Sequence, residues 1–83
     1  MRITVVPSDK RVTIDGKSYE DINLSSFDPS IHAIQWYDTY GEIEIKDDRG
    51  RIVENRVIDS FEEFAFVVTL WEAAKEVDEH HEN

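Results

Sequence analysis

The chain has 83 residues, nineteen Asp and Glu against nine Lys and Arg, a net charge of −10 and no cysteine. The length allows one domain, residues 1–83. The missing cysteine excludes disulfides and thiolate metal sites, and the acid excess repels nucleic acid and anionic lipid, because binding a phosphate backbone relies on Lys and Arg; neither direct nucleic-acid binding nor a membrane partner is expected.

A chain this short buries only about 60–65% of its unfolded surface. Stability must therefore come from a well-packed aromatic core, from self-association, or from both. Nine Phe, Tyr and Trp residues are available. The acid excess is uneven: residues 1–41 hold six acids and four bases, residues 42–83 thirteen acids and five bases. Such a surface favours a basic protein partner, or it serves solubility alone. The apolar run near the N-terminus is too short for a signal peptide. No stretch approaches the roughly 18–20 apolar residues that span a bilayer. The expected location is the cytoplasm, or a particle assembled there.

In chain order, Arg2 to Val6 is rich in β-branched residues and reads as a strand. Pro7 to Lys10 supplies turn chemistry. Arg11 to Ile14 alternates polar and apolar, as a half-buried strand does. Asp15-Gly16 then separates it from a strand-like Lys17 to Glu20. Asp-Gly between two such runs is a strong hairpin signal, because both residues tolerate positive φ. A three-stranded meander is expected here.

Asp21 to Ser30 is a connection, with Asp28-Pro29 as a turn. Ile31 to Tyr37 is the next strand. If Ile31 and Ala33 face the core, His32 shares the other face with Ile34 and Trp36. Asp38 to Gly41 is a turn, and Glu42 to Asp47 alternates strictly, with Ile43 and Ile45 inward and Glu42, Glu44 and Lys46 outward. Asp48 to Gly50 closes a hairpin onto Arg51 to Ile58, the last strand.

The C-terminal segment reads as a helix from about Ser60 to Asp78. Ser60 and Glu63 have the spacing of a capping box. A frayed acidic tail is expected over 79–83. At 100° per residue, Phe61, Phe64, Ala65, Val68 and Trp71 share one side, with Val67 and Ala74 flanking it. Phe66, Leu70, Ala73 and Val77 form a second stripe, roughly opposite. One helix on one sheet buries only one of these, so the second needs a cover: the 18–30 connection, a second subunit or a foreign partner. The fold class is α+β: an antiparallel, mostly meandering sheet of five or six strands with one C-terminal helix across one face.

The search for chemistry returns little. Gly16, Gly41 and Gly50 each fall in an expected turn, and no Gly-rich phosphate loop exists. No serine sits in a nucleophile-elbow motif; Ser60 is explained as a helix cap. His32 is a lone strand histidine. His80 and His81 are adjacent, without the spacing that aims two imidazoles at one ion. Glu20-Asp21, Asp47-Asp48, Glu62-Glu63 and Asp78-Glu79 fall in turns, at the helix start and in the tail, where carboxylates are solvated rather than tuned as acid–base pairs. Neither a catalytic residue, a metal nor a cofactor is expected. Trp36 reads as a core residue, while Tyr37 and Tyr40, near a turn, read as contact residues. Base stacking on these aromatics would need basic neighbours, and Asp38, Glu42 and Glu44 stand there instead.

Three segments carry a resemblance: MRITVVPSDKRVTIDG (1–16), IHAIQWYDTYGEIEIKD (31–47) and VIDSFEEFAFVVTLWEAAK (57–75). They resemble small proteins of tailed bacteriophages and prophages encoded near tail-fibre genes. The resemblance implies a viral setting in the cytoplasm of a bacterial host or on the virion, and a tail-related role. It implies no catalytic residues.

Two functions follow as expectations. One is a non-enzymatic accessory protein that binds another protein in tail or tail-fibre assembly, through Phe66, Leu70, Ala73 and Val77 or through Tyr37 and Tyr40. The other is an inhibitor of a host defence or nucleic-acid-binding protein, whose acids Glu42, Glu44, Asp47 and Asp48 present phosphate-like charge to a basic host partner. Homo-oligomerisation is a third use of the helix stripe.

Overall fold

The computed structural model describes residues 1–80. The strands are β1 (Ile3–Val6), β2 (Arg11–Ile14), β3 (Lys17–Tyr19), β4 (Ile31–Trp36), β5 (Gly41–Lys46) and β6 (Ile52–Ile58). They form one antiparallel sheet in the order β3-β2-β1-β4-β5-β6, with helix α1 (Phe66–His80) across one face. The expected α+β architecture is thus present. Its meander is two three-stranded meanders, joined where β4 pairs with β1 rather than with β3.

Local chemistry explains the hairpins. Asp15 and Gly16 both take positive φ, 49° and 86°, as a tight two-residue turn requires. The Asp15 carboxylate also accepts the Arg2 backbone N–H at 2.9 Å, tying the turn back to the start of β1. In the β5–β6 turn, Asp47 Oδ1 accepts the backbone N–H groups of Arg49 and Arg51, both at 2.9 Å.

The core lies on one face. Ile3, Val5, Val12, Ile14, Ile34, Trp36 and Ile43 line it from the sheet. The 20–30 connection crosses beneath and contributes Ile22, Leu24 and Phe27. A register shift between Ile31 and Ala33 turns the expected parity of β4 over. Ile31, Ile34 and Trp36 face the core, and Ala33 lies on the outer face, opposite Glu44. A bulge does this by adding one residue to one strand, which swaps every later side chain to the other face.

Gly41 is a second departure from expectation. It opens β5, opposite Trp36, and is no turn residue. A Cβ there would collide with the Gln35 carbonyl oxygen and stand 2.9 Å from Cε3 of the Trp36 ring. The glycine is needed for close approach, not for its φ.

The helix also begins later than expected. A short 3₁₀ turn (Glu62–Phe64) precedes α1, which extends through His80 rather than ending at 78. Ser60 Oγ accepts the Glu62 backbone N–H at 3.2 Å, so the serine serves the 3₁₀ turn and the Ser60–Glu63 capping box does not form. The helix packs on β2 and β3 with Val67 fully buried and Val68, Leu70, Trp71 and Ala74 half-buried around it; Ala65 is exposed.

Candidate functional site

Because α1 lies over the β2–β3 half of the sheet, the β5–β6 end of the inner face needs another cover. Phe27 and the 3₁₀ turn supply part of it. The Phe27 ring stacks on Phe64 at 5.6 Å with 10° between planes, and meets Phe66 at 5.3 Å. Beyond these rings the inner face opens into a groove of about 400 Å³. Ile31, Ile43, Ile45, Phe64 and Phe66 give it apolar walls, and Asp28, Arg56 and Glu63 stand at its polar edge.

The backbone places these groups. Arg56 lies opposite Ile43 and Glu54 opposite Ile45, so both charged residues fall on the inner side of the edge strand. They pair with each other at 3.3 Å. Asp28 caps its own turn: Oδ1 accepts both the backbone N–H and the hydroxyl of Ser30, each at 2.8 Å. The Ser30 amide, and then its hydroxyl, hold the Asp28 carboxyl below its ordinary range. The Ser30 carbonyl in turn accepts the Lys46 N–H at 2.8 Å, which fixes the groove wall to β5.

The expected contact residues are dispersed. Phe66 lines the groove, and Leu70 is half-buried against the core. Ala73 is exposed, and Val77 lines a separate shallow hollow with Tyr19 and Ala74. The second stripe is therefore divided: Phe66 touches Phe27 of the 20–30 connection but stays 41% exposed, the core takes Leu70, and Ala73 and Val77 at the far end are bare. The Tyr37 and Tyr40 rings lie 5.1 Å apart, tilted by 36°, beside the β4–β5 turn, and the Arg2 guanidinium lies 5.4 Å from the Tyr37 ring. Trp36 is buried, 5.6 Å from the Phe61 ring.

The four acids do not form one free patch. Glu42 and Glu44 are half-buried on the outer face of β5, opposite Gln35 and Ala33. Asp47 serves the β5–β6 turn and also meets Arg51 Nε at 3.4 Å; the Arg51 backbone N–H is the main cause of its depressed pKa. Asp48 is exposed beside it.

No known family model matches the chain, and neither does any curated protein or any solved structure.

Among the described residues, no group of three or more His, Cys, Asp or Glu could hold a metal ion, and no helix is long and apolar enough to cross a membrane. The side chain of His80 and residues His81 to Asn83 lie outside the described residues, so the adjacent histidine side chains and the expected tail beyond His80 are not placed. His32 is half-buried at the β4 register shift.

The groove itself was not visible in the chain. Ile31, Ile43 and Ile45 carried ordinary strand patterning, and Phe27 sat in a segment read as connection. The one available signal was β6: IVENRVI places Glu54 and Arg56 at the positions where an alternating strand would put its apolar residues.

Proposed function

We propose that this chain is a non-enzymatic accessory protein of a tailed bacteriophage, acting by protein–protein contact in tail or tail-fibre assembly. The setting rests on the three-segment resemblance. The mode of action rests on one observation, the open groove at the β5–β6 end of the inner face. Apolar walls rimmed by a few charged groups suit one large apolar side chain of a partner, flanked by polar contacts. Asp28 and Glu63 at the edge, in a chain of net −10, favour an anchor carried on a basic protein segment.

The second reading is an acidic surface that occupies the nucleic-acid site of a basic host protein. The row of Glu42 and Glu44 on the outer face of β5 supports it. The two readings use opposite faces of the sheet, which makes them separable. Tagged protein is recovered from phage-infected cells at low and high salt, alongside Phe66→Ala and the pair Glu42→Lys with Glu44→Lys. Retention of a phage tail protein that Phe66→Ala loses and the lysine pair keeps supports the groove. Retention of a host nucleic-acid-binding or defence protein with the reverse pattern, lost at high salt, supports the acidic face and ends the first reading.

A further inference from the structure

The edge strand β6 has a chemical symmetry that neither reading uses. Its sequence, Ile52-Val53-Glu54-Asn55-Arg56-Val57-Ile58, reads alike in kind from both ends. About Asn55, Val mirrors Val and an acid mirrors a base; the two isoleucines do not match in space, because the extra residue at Val53 puts Ile52 on the outer face while Ile58 packs against the core. The strand pairs with β5 on one side and has no neighbouring strand on the other among the described residues. It is also the most exposed strand of the sheet, with Ile52 at 45%, Val53 at 62% and Val57 at 68%.

We propose that β6 pairs antiparallel with β6 of a second copy of this chain, about a twofold axis through Asn55. A twofold contact is self-complementary, so residue i facing residue j requires j to face i. The register centred on Asn55 sets Glu54 opposite the partner's Arg56 and brings Val57 beside the partner's Val53, where β6 carries one extra residue against β5; regular pairing is confined to residues 54–56. Moving the axis by one residue sets Glu54 against itself or Arg56 against itself, and like charges directly opposite are destabilising. The charge pattern therefore selects one register. Glu54 and Arg56 already share the inner side of β6, 3.3 Å apart, so the pairing closes four alternating charges around the axis.

The local charge supports a like partner. Residues 47–58 hold three acids and three bases, a neutral stretch in a chain of net −10. A second copy approaching here meets less repulsion than at a surface carrying the chain's average charge. The free backbone groups of an edge strand supply the hydrogen bonds, and the exposed Val57 is covered by the partner strand. The resulting dimer carries two copies of the groove on one inner face, one on each side of the axis.

Sedimentation equilibrium of the full chain over a concentration series gives the first test, with circular dichroism confirming the fold of each variant. The wild type is expected to dimerise. Glu54→Arg alone and Arg56→Glu alone are each expected to weaken dimerisation by roughly tenfold or more. The double swap restores it. An equimolar mixture of the two single variants forms the mixed dimer, because the Glu54→Arg chain then sets two arginines against the two glutamates of the Arg56→Glu chain. A second measurement does not depend on charge. Asn55→Cys puts the chain's one thiol opposite itself and is expected to oxidise rapidly to a disulfide-linked dimer, while Asp48→Cys does not. A wild type that stays monomeric at about 100 μM overturns the proposal. So does a dimer that is indifferent to the charge swaps and is not captured by Asn55→Cys. Phe66→Ala leaves the dimer intact, so loss of partner binding through the groove and loss of β6 pairing are read separately.

Discussion

The indole N–H of Trp71 donates to the backbone carbonyl of Lys17 at 3.0 Å, joining the helix to the shortest strand of the sheet across 54 residues of chain. Tyr19 meets the same indole edge-on at 5.4 Å, and the Lys75 ammonium lies 5.6 Å from its ring. β3 is a three-residue edge strand, and this contact is its main link to the helix. Trp71→Phe keeps a ring and removes the donor. The expected cost is about 1 kcal/mol, the usual net value of one hydrogen bond. Urea unfolding checks it: the midpoint should fall with an unchanged slope.

Gly41→Ala adds a single methyl where Trp36 and the Gln35 carbonyl leave no room. The carbonyl belongs to the backbone of a central strand and cannot step aside. Overpacking of this kind is expected to destabilise by about 2–4 kcal/mol. For a domain of this size each kcal/mol lowers the melting temperature by roughly 4–8 °C. A thermal scan that shows no loss would mean that the Trp36 ring is not held over Gly41.

Phe27 bridges the connection to both Phe64 and Phe66. Phe27→Leu keeps an apolar side chain but loses both ring contacts, at an expected cost of about 1–2 kcal/mol. Amide hydrogen exchange should then speed up first in residues 22–30, because the connection depends on this ring for its seat on the helix.

Asp28 and Asp47 both have pKa values below the ordinary 3.8, through the backbone amides of Ser30 and Arg51. A carboxyl with a lower pKa in the folded than in the unfolded chain adds stability above its unfolded pKa. That stability is lost as the pH falls through the folded value. Acidification below about pH 4 should therefore remove both contributions. Replacing both by Asn should flatten the stability profile between about pH 5 and 3 relative to wild type. Parallel denaturant titrations across that range compare the two proteins, and parallel curves would show that neither carboxylate is held by its turn.

The strands were legible because each carries a short-range signal. Asp15-Gly16 declares its hairpin, and Glu42 to Lys46 alternates without a break. What the chain concealed depends on partners distant in sequence. The β4 register shift alters which residues face inward, and nothing in IHAIQW marks it. Gly41 looked like a turn residue because its reason for being glycine is the Trp36 ring on the neighbouring strand. Ser60 and Glu63 had the spacing of a capping box, but the bulky Phe61 and Phe64 are drawn into the core, and the chain takes a 3₁₀ turn there instead. The second helix stripe was real as a pattern. Leu70 nevertheless packs on the core, because α1 starts at Phe66 and presents Val67, Leu70, Trp71 and Ala74 to the sheet.

The sheet order has a consequence for how the chain finds its fold. Four of its five strand pairings are hairpins between consecutive strands. The fifth, β1 with β4, brings together residues such as Thr4 and Gln35, whose side chains bond at 2.8 Å across 31 positions. Each triplet of strands can form from local contacts, but the seam between them must close a long loop before it gains anything. That seam is expected to set the folding rate. Val5→Ala and Ile34→Val, which face each other across it, should slow folding, whereas changes on β6 should act mainly by hastening unfolding.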